Sequence, residues 1–221
     1  MFEKLKEKIA EMSRRPAADP SQFNDPLAER TQWTPLKPGG TNFRTHKLVL
    51  SRPERMEFKP TWGMKIFCAI FCLVGLGTFV GMLAIAAGAI HGENTQMAYI
   101  FLPIFGGIFF IVGSLMYCFA AKPRVFDSSL KYFWKGRKSP ETSLPGDTSD
   151  NWVPLEDIHA IQVISEYVSG DKSSYYSYEL NLVRKDAGRF NVIDHGNAGK
   201  IRADAQALAD FLGVPLWDTT L

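Results

Sequence analysis

Two long apolar runs, Ile66–Ile90 and Met97–Ala121, dominate the pattern of this chain. Each has 25 residues and no charged side chain, and from Ile66 to Ala121 the one Asp, Glu, Lys or Arg is Glu93. As a helix, such a run is about 37 Å long. A hydrocarbon core needs roughly 20 residues, so each run predicts a transmembrane helix with tilt or overhang. The first run holds twelve Leu, Ile, Val or Phe residues, which favour insertion at roughly −0.3 to −0.6 kcal/mol each. His91–Gln96 between the runs is long enough only for a tight turn between antiparallel helices. Residues 66–121 therefore read as a helical hairpin.

Before the hairpin the pattern changes three times. Phe2, Leu5, Ile9 and Met12 recur at helical spacing among Lys and Glu, predicting an amphipathic helix over 1–15 that Pro16 ends. With Lys4, Lys8, Arg14 and Arg15 on its polar side, this helix is a candidate membrane-surface element. Covering a groove on a partner, or plain solvation, are the alternatives. Residues 16–44 are rich in Pro, Asp, Asn, Gln, Thr and Gly and offer little apolar surface to offset ordering entropy, so they read as an extended linker or arm. Over 45–60, Leu48 and Leu50, then Met56 and Phe58, alternate about Pro53, which predicts a β-hairpin leading into the membrane.

After the hairpin the period returns to two. Short strands are predicted around Val125–Phe126 and Leu130–Lys135, then a loop over 136–152 rich in Gly, Pro, Ser, Thr and Asp. Ile161, Val163 and Tyr167 share one face of the next strand, with Gln162 and Glu166 on the other. Tyr176, Tyr178, Leu180 and Leu182 do the same in Tyr175–Val183, and Phe190 and Val192 in Arg189–Asp194. Asn197 then caps a helix whose apolar stripe is Ile201, Leu208, Phe211 and Leu212, ended by Gly213 and Pro215. The fold class expected is a membrane protein of the α+β type: a two-helix transmembrane hairpin and, over 122–221, a small antiparallel β domain with a C-terminal helix.

Composition alone hides this organisation. The mean hydropathy of −0.08 averages an apolar hairpin with polar flanks, and the net charge of +2 hides a split. Residues 1–65 carry thirteen Lys and Arg against eight Asp and Glu, whereas residues 122–221 carry twelve against fourteen. Lys59 and Lys65 flank one end of the hairpin, Lys122 and Arg124 the other, and the turn has no cation. Basic flanks stay on the cytoplasmic side, which predicts an inner (plasma) membrane protein with both termini cytoplasmic. The charged first fifteen residues do not read as a secretory signal, so the first membrane helix is expected to act as its own insertion signal. Gly77, Gly81, Ala84 and Gly88 in the first helix, with Gly106, Gly107 and Gly113 in the second, are candidate helix-packing positions. They serve either a dimer or partner surface, or the packing of the two helices on each other.

Little chemistry is legible. No Gly-x-Ser-x-Gly, His-Glu-x-x-His, Walker or zinc-ribbon pattern occurs, and no cofactor or metal is expected. Cys68, Cys72 and Cys118 lack nearby ligating residues in sequence and read as small apolar side chains. The two helices carry no internal charge that would mark an ion path. The slightly acidic C-terminal part has no basic stripe for nucleic acid. Asp194-His195-Gly196 and Asp157-Ile-His159 are the most site-like clusters, each read as a hydrogen-bonded turn. Trp134, Tyr167, Tyr175 and Tyr178 are candidate partner-binding aromatics, set against ordinary β-propensity.

Val153-Pro-Leu-Glu-Asp-Ile158 at the opening of a strand, within a meander followed by one amphipathic helix, resembles an entry motif of bacterial pleckstrin-homology-like domains attached to paired transmembrane helices. The resemblance spans residues 124–213. It implies a seven-stranded domain, of which five strands lie after the membrane, so the strands of 45–60 are expected to supply the other two. The expected role is a non-enzymatic inner-membrane adaptor that presents this domain to a cytoplasmic or membrane protein partner. An assembly or accessory subunit of a larger membrane complex and a lipid-headgroup sensor are the alternatives, and homo-oligomerisation is left open.

Overall fold

The computed structural model describes residues 19–90, 95–140, 151–170 and 173–220. The amphipathic segment 1–15, with Phe2, Leu5, Ile9, Met12, Lys4, Lys8, Arg14 and Arg15, lies outside them. The architecture is α+β, with two long apolar helices and two mainly antiparallel sheets. It divides into a helical unit, Lys59–Pro123, and a β unit made of the segments on either side of it.

In the helical unit, α2 is Trp62–Ala86 and α3 is Thr95–Ala120 (α1 lies earlier in the chain). Both are long and apolar enough to cross a membrane. Their bounds lie toward the N-terminus of the apolar runs for local reasons. The Thr61 side chain accepts from the Met64 N–H and starts α2 a turn early. Gly88, at φ +72°, marks its end, a conformation open to glycine at little cost. The helices touch through a subset of the small residues. A Cβ placed on Gly75 would stand 2.6 Å from the Gly106 carbonyl oxygen, one on Gly106 2.9 Å from that of Gly75, and one on Gly113 2.9 Å from the Cys72 nitrogen. Gly77, Gly81 and Gly107 instead face open space. The seven expected packing positions thus split: Gly106 and Gly113 pack the hairpin, Gly77, Gly81 and Gly107 face away from it, Ala84 is half-buried, and Gly88 ends a helix. Gly75, which lies outside the Gly-x-x-x-Gly spacing, is a third packing position.

The β unit has two sheets. The first runs β1 (His46–Arg52), β2 (Arg55–Pro60), β3 (Arg124–Asp127), β4 (Tyr132–Lys135), β5 (Trp152–Pro154), each hydrogen-bonded to the next. Residues 45–60 thus contribute two strands, and β2 pairs antiparallel with β3, Phe58 opposite Arg124 and Arg55 opposite Asp127. The helices occupy the β2–β3 connection. The second sheet is ordered β8 (Arg189–His195), β7 (Ser174–Arg184), β6 (Ile158–Ser169), β9 (Leu216–Asp218), with β9 parallel to β6. Among the described residues seven strands follow the hairpin rather than five. The two additional ones, β5 and β9, are three residues each, too short to show a period of two.

One core joins both sheets to α4 (Ala198–Leu212): Phe58, Phe126 and Phe133 from the first, Ile161, Val163, Leu180, Leu182 and Val192 from the second, and Ile201, Ala205 and Leu208 from the helix. Asn197 caps α4 by accepting from the Lys200 N–H, and Gly213 closes it at φ +67°.

The segment 16–44 departs most from expectation. From residue 19 on it is a packed cover rather than a free arm. A 3₁₀ turn at Pro20–Phe23 and a short helix α1, Pro26–Arg30, are N-capped by Asp19 and Asp25. Phe23, Leu27 and Trp33 pack with Ala28 against Ala160, Val183 and Trp217 of the second sheet. Phe23 stacks on Trp33 at 5.4 Å between ring centroids, and both rings lie 6.0 Å from that of Trp217. Three large side chains suffice because aromatic burial is concentrated in few residues.

Gly75→Ala and Gly113→Ala are expected to destabilise the helical unit by about 1–3 kcal/mol through overpacking. Gly77→Ala and Gly81→Ala leave it unchanged or raise it by up to about 1 kcal/mol, the gain in helix propensity. Thermal unfolding of the full chain in detergent micelles measures the difference.

Candidate functional site

Past a bulge at Ile158–Ala160, strands β6 and β7 alternate, and both of their faces are covered. One face carries Ile161, Val163, Leu180 and Leu182 into the core beneath α4. On the other, the register sets Gln162 beside Asn181, Ile164 beside Glu179, Glu166 beside Ser177 and Val168 beside Tyr175. Strand β8 extends these rows with Asn191 beside Asn181 and Asp194 beside Glu179. A polar sheet face is ordinarily solvated. Here Gln162, Ser177, Glu179 and Asn181 are at most 3% exposed.

Residues 32–41 cover them, and the sheet side chains hold the main chain of this strap. Glu179 accepts from the N–H groups of Leu36 at 3.0 Å and Lys37 at 3.1 Å. Glu166 accepts from those of Gly39 at 2.9 Å and Gly40 at 3.3 Å. Four carbonyls of the strap are bound from the sheet: Gln32 by the Gln162 amide at 3.0 Å, Thr34 by Arg189 at 2.8 Å, Gly40 by the Tyr175 hydroxyl at 2.9 Å and Thr41 by the Ser177 hydroxyl at 3.0 Å. Pro35 and Pro38 have no N–H to satisfy, and every other residue from 35 to 40 donates to a carboxylate. Side chains 36–39 of the strap are exposed. Two glycines are required for different reasons. Gly39 has φ +81°, and a Cβ on Gly40 would stand 2.3 Å from the Ser177 Oγ.

Beside the strap lies a cluster of half-buried charge around the buried His46. The Arg124 Nε donates to the Val192 carbonyl at 3.1 Å, and its Nη1 donates to the His46 Nε2. Arginine has no acceptor, so the His46 proton sits on Nδ1, which faces the Thr45 hydroxyl at 2.9 Å. Burial lowers Arg124 to about 10. Burial, with the like charges of Arg124 and Lys37, lowers Lys135 to about 7. The Lys135 ammonium lies 4.7 Å from the centroid of the Phe190 ring. Burial also raises Asp194, against a hydrogen bond from Asn191.

The two sequence clusters do not converge. His195 is fully buried and its Nδ1 accepts from the Asn197 N–H at 2.9 Å, so the proton lies on Nε2, which finds no partner among the described residues. Burial lowers it to about 4. His159 pairs with Asp25 at 2.7 Å and so ties α1 to β6. Among the described residues no three His, Cys, Asp or Glu side chains gather to hold a metal ion. Of the four aromatics singled out, two are core residues: Tyr178 is 6% exposed, and Trp134 is 3% exposed with the Arg55 guanidinium 5.3 Å from its ring centroid. Tyr167 meets Tyr176 edge-on at 5.2 Å, and Tyr175 holds the strap. Gln162, Glu166, Ser177, Glu179 and Arg189 were not legible as site residues. The available signal was the polar half of the β6 and β7 alternation, together with Trp33 in an otherwise polar arm.

No family model matches this chain, and neither a curated protein nor a solved structure matches it significantly.

Glu179→Ala removes a carboxylate that accepts two main-chain N–H groups and the Asn181 amide. A loss of about 2–3 kcal/mol is expected, since bonds to a charged group are involved. Faster hydrogen exchange at Leu36 and Lys37 than at β-sheet amides reports it. Stability is also expected to rise with pH across two windows. Between about 4 and the ordinary 6.5 the unfolded chain binds a proton that folded His195 refuses. Between about 7 and the ordinary 10.5 the same holds for Lys135. Thermal unfolding from pH 4 to 10 measures both windows, and Lys135→Met should flatten the upper one.

Proposed function

We propose that this chain is a non-enzymatic, membrane-anchored adaptor that presents its β unit to a protein partner. The observation that carries this reading is the pairing of β2 with β3 on either side of an apolar helical hairpin. Such an insertion ties the β unit to the hairpin by two covalent connections, Lys59 on one side and Pro123 on the other. With Lys59, Lys65, Lys122 and Arg124 at the same end, the β unit and both termini lie on the cytoplasmic side of the inner membrane. Two sheets, a C-terminal helix and the Val153–Ile158 entry support a pleckstrin-homology-like domain, here with nine strands among the described residues in place of seven. Glu179, Glu166 and Tyr175 of the β unit hold a main-chain segment, an arrangement suited to binding polypeptide.

A second reading, an accessory subunit of a larger membrane complex, is favoured by Gly77, Gly81 and Gly107, whose faces are open to a further helix. One experiment separates the two. The tagged full-length chain is crosslinked in intact membranes, solubilised in mild detergent and captured. The adaptor reading expects a partner retained through the β unit and unaffected by Gly77→Leu with Gly81→Leu. Loss of the partner in that double variant supports the subunit reading. Capture of the chain alone, in every detergent tried, overturns both.

A further inference from the structure

The strap over β6 and β7 is seated in an unusual way. Upstream, residues 23–33 are held by apolar contact, Phe23, Leu27 and Trp33 against Trp217. Downstream, β1 begins at His46. Between these anchors, residues 34–41 are held by hydrogen bonds with Glu166, Tyr175, Ser177, Glu179, Arg189 and Asp194, whose main-chain carbonyl accepts from the Thr41 hydroxyl at 3.1 Å, on a face that also carries Ile164 and Val168.

The consequence for exchange is physical. An apolar face stripped of its cover exposes surface that aggregates, so an apolar cover is permanent. A face made mostly of carboxylates, amides and hydroxyls, with Ile164 and Val168 as its apolar members here, largely hydrates when its cover leaves, and the bonds it loses are replaced by bonds to water. Every bond the face makes with residues 34–40 is to main chain, while residues 36–39 are exposed. The surface therefore reads backbone shape: two N–H pairs three residues apart, separated by a proline, then a glycine at positive φ and a second glycine pressed on Ser177. The face also holds an acceptor the strap leaves unused. The Asn181 side chain is fully buried, and its Oδ1 has no partner among the described residues.

We propose that this face is a binding groove for extended Pro-x-x-Pro-Gly-Gly polypeptide, and that residues 34–41 are its built-in occupant, displaced by a like segment of a partner protein. This rests on the adaptor reading and names its docking point and its regulation. The mode combines a polyproline-type ligand with main-chain recognition by carboxylates. A tethered occupant competes at an effective concentration of order mM. A free peptide therefore binds weakly until the strap is loosened, and a partner succeeds by bringing further contacts.

The test uses the full-length chain in detergent micelles and a fluorescent synthetic peptide with the sequence of residues 31–42, followed by anisotropy. Gly40→Ala loosens the strap without altering the groove, because its Cβ meets the Ser177 hydroxyl. The peptide is expected to bind Gly40→Ala at least tenfold more tightly than it binds the unaltered chain. Adding Glu179→Gln should weaken that binding at least tenfold, and so should replacing both glycines of the peptide by alanine. Should Gly40→Ala not fold, hydrogen exchange of the unaltered chain serves instead. Millimolar peptide should then speed exchange at Leu36, Lys37, Gly39 and Gly40 severalfold. Equal binding to both chains, equal binding of the glycine-free peptide, or exchange unchanged by peptide overturns the proposal. A stoichiometric partner captured despite that outcome leaves the adaptor reading standing and removes only this groove.

Discussion

Strands β6 and β7 are buried on both faces, and most of the β unit is arranged to satisfy that condition. A strand with period two presents two different surfaces, and each demands its own kind of cover. The apolar surface, Ile161, Val163, Leu180 and Leu182, is met by α4 and by the phenylalanines of the first sheet. The opposite surface carries Gln162, Ser177, Glu179 and Asn181, and burying such groups unpaired would cost about 1–3 kcal/mol each. Another apolar helix could not satisfy them. Main chain can, because it supplies a donor and an acceptor at nearly every residue. The register of the strap follows from there, since two carboxylates must each find two N–H groups.

A second constraint is topological. β2 and β3 are neighbours in one sheet, yet the whole helical unit lies between them in sequence. Closing that pair brings Phe58 next to Phe126, whose rings meet edge-on at 6.4 Å in the core. The core of the β unit is therefore incomplete until the chain has passed through both helices and returned. Loop-closure entropy grows only slowly with length, so the insertion itself costs little. A stiff hairpin held by Gly75, Gly106 and Gly113 brings its two ends together and lowers that cost further.

What was legible in the sequence divides along the same lines. The helices showed because about 25 uncharged apolar residues in a row have few other uses. The end of α4 showed because Asn197 and Gly213 have stereochemical reasons to be there. β6 and β7 showed because their lengths of twelve and eleven residues display alternation. β5 and β9 did not, at three residues each. Tyr178, put forward as a partner-binding aromatic, is buried on the face it shares with Leu180, whereas Trp134 is buried beside Arg55, far away in sequence. The strap was illegible for a deeper reason. Its binding energy comes from backbone groups that every residue carries, and its composition, Pro and Gly above all, is also that of disorder.

That ambiguity bears on how the cover and the charge cluster work together. Lys37 contributes repulsion to Lys135, which already faces Arg124 in a buried setting, while Glu179 and Asp194 favour its charged form. The strap thus brings the Lys37 cation toward Lys135 and also toward Asp194, which it attracts, while its backbone donates to the Glu179 carboxylate. The seat itself is held by main-chain hydrogen bonds to Glu166 and Glu179. Directional bonds of this kind are lost together once the register slips, because Glu166 and Glu179 each hold consecutive N–H groups. A cover anchored by aromatic packing at Trp33 and by a β-strand at His46 is fixed at its ends, and its middle is held through these shared carboxylates.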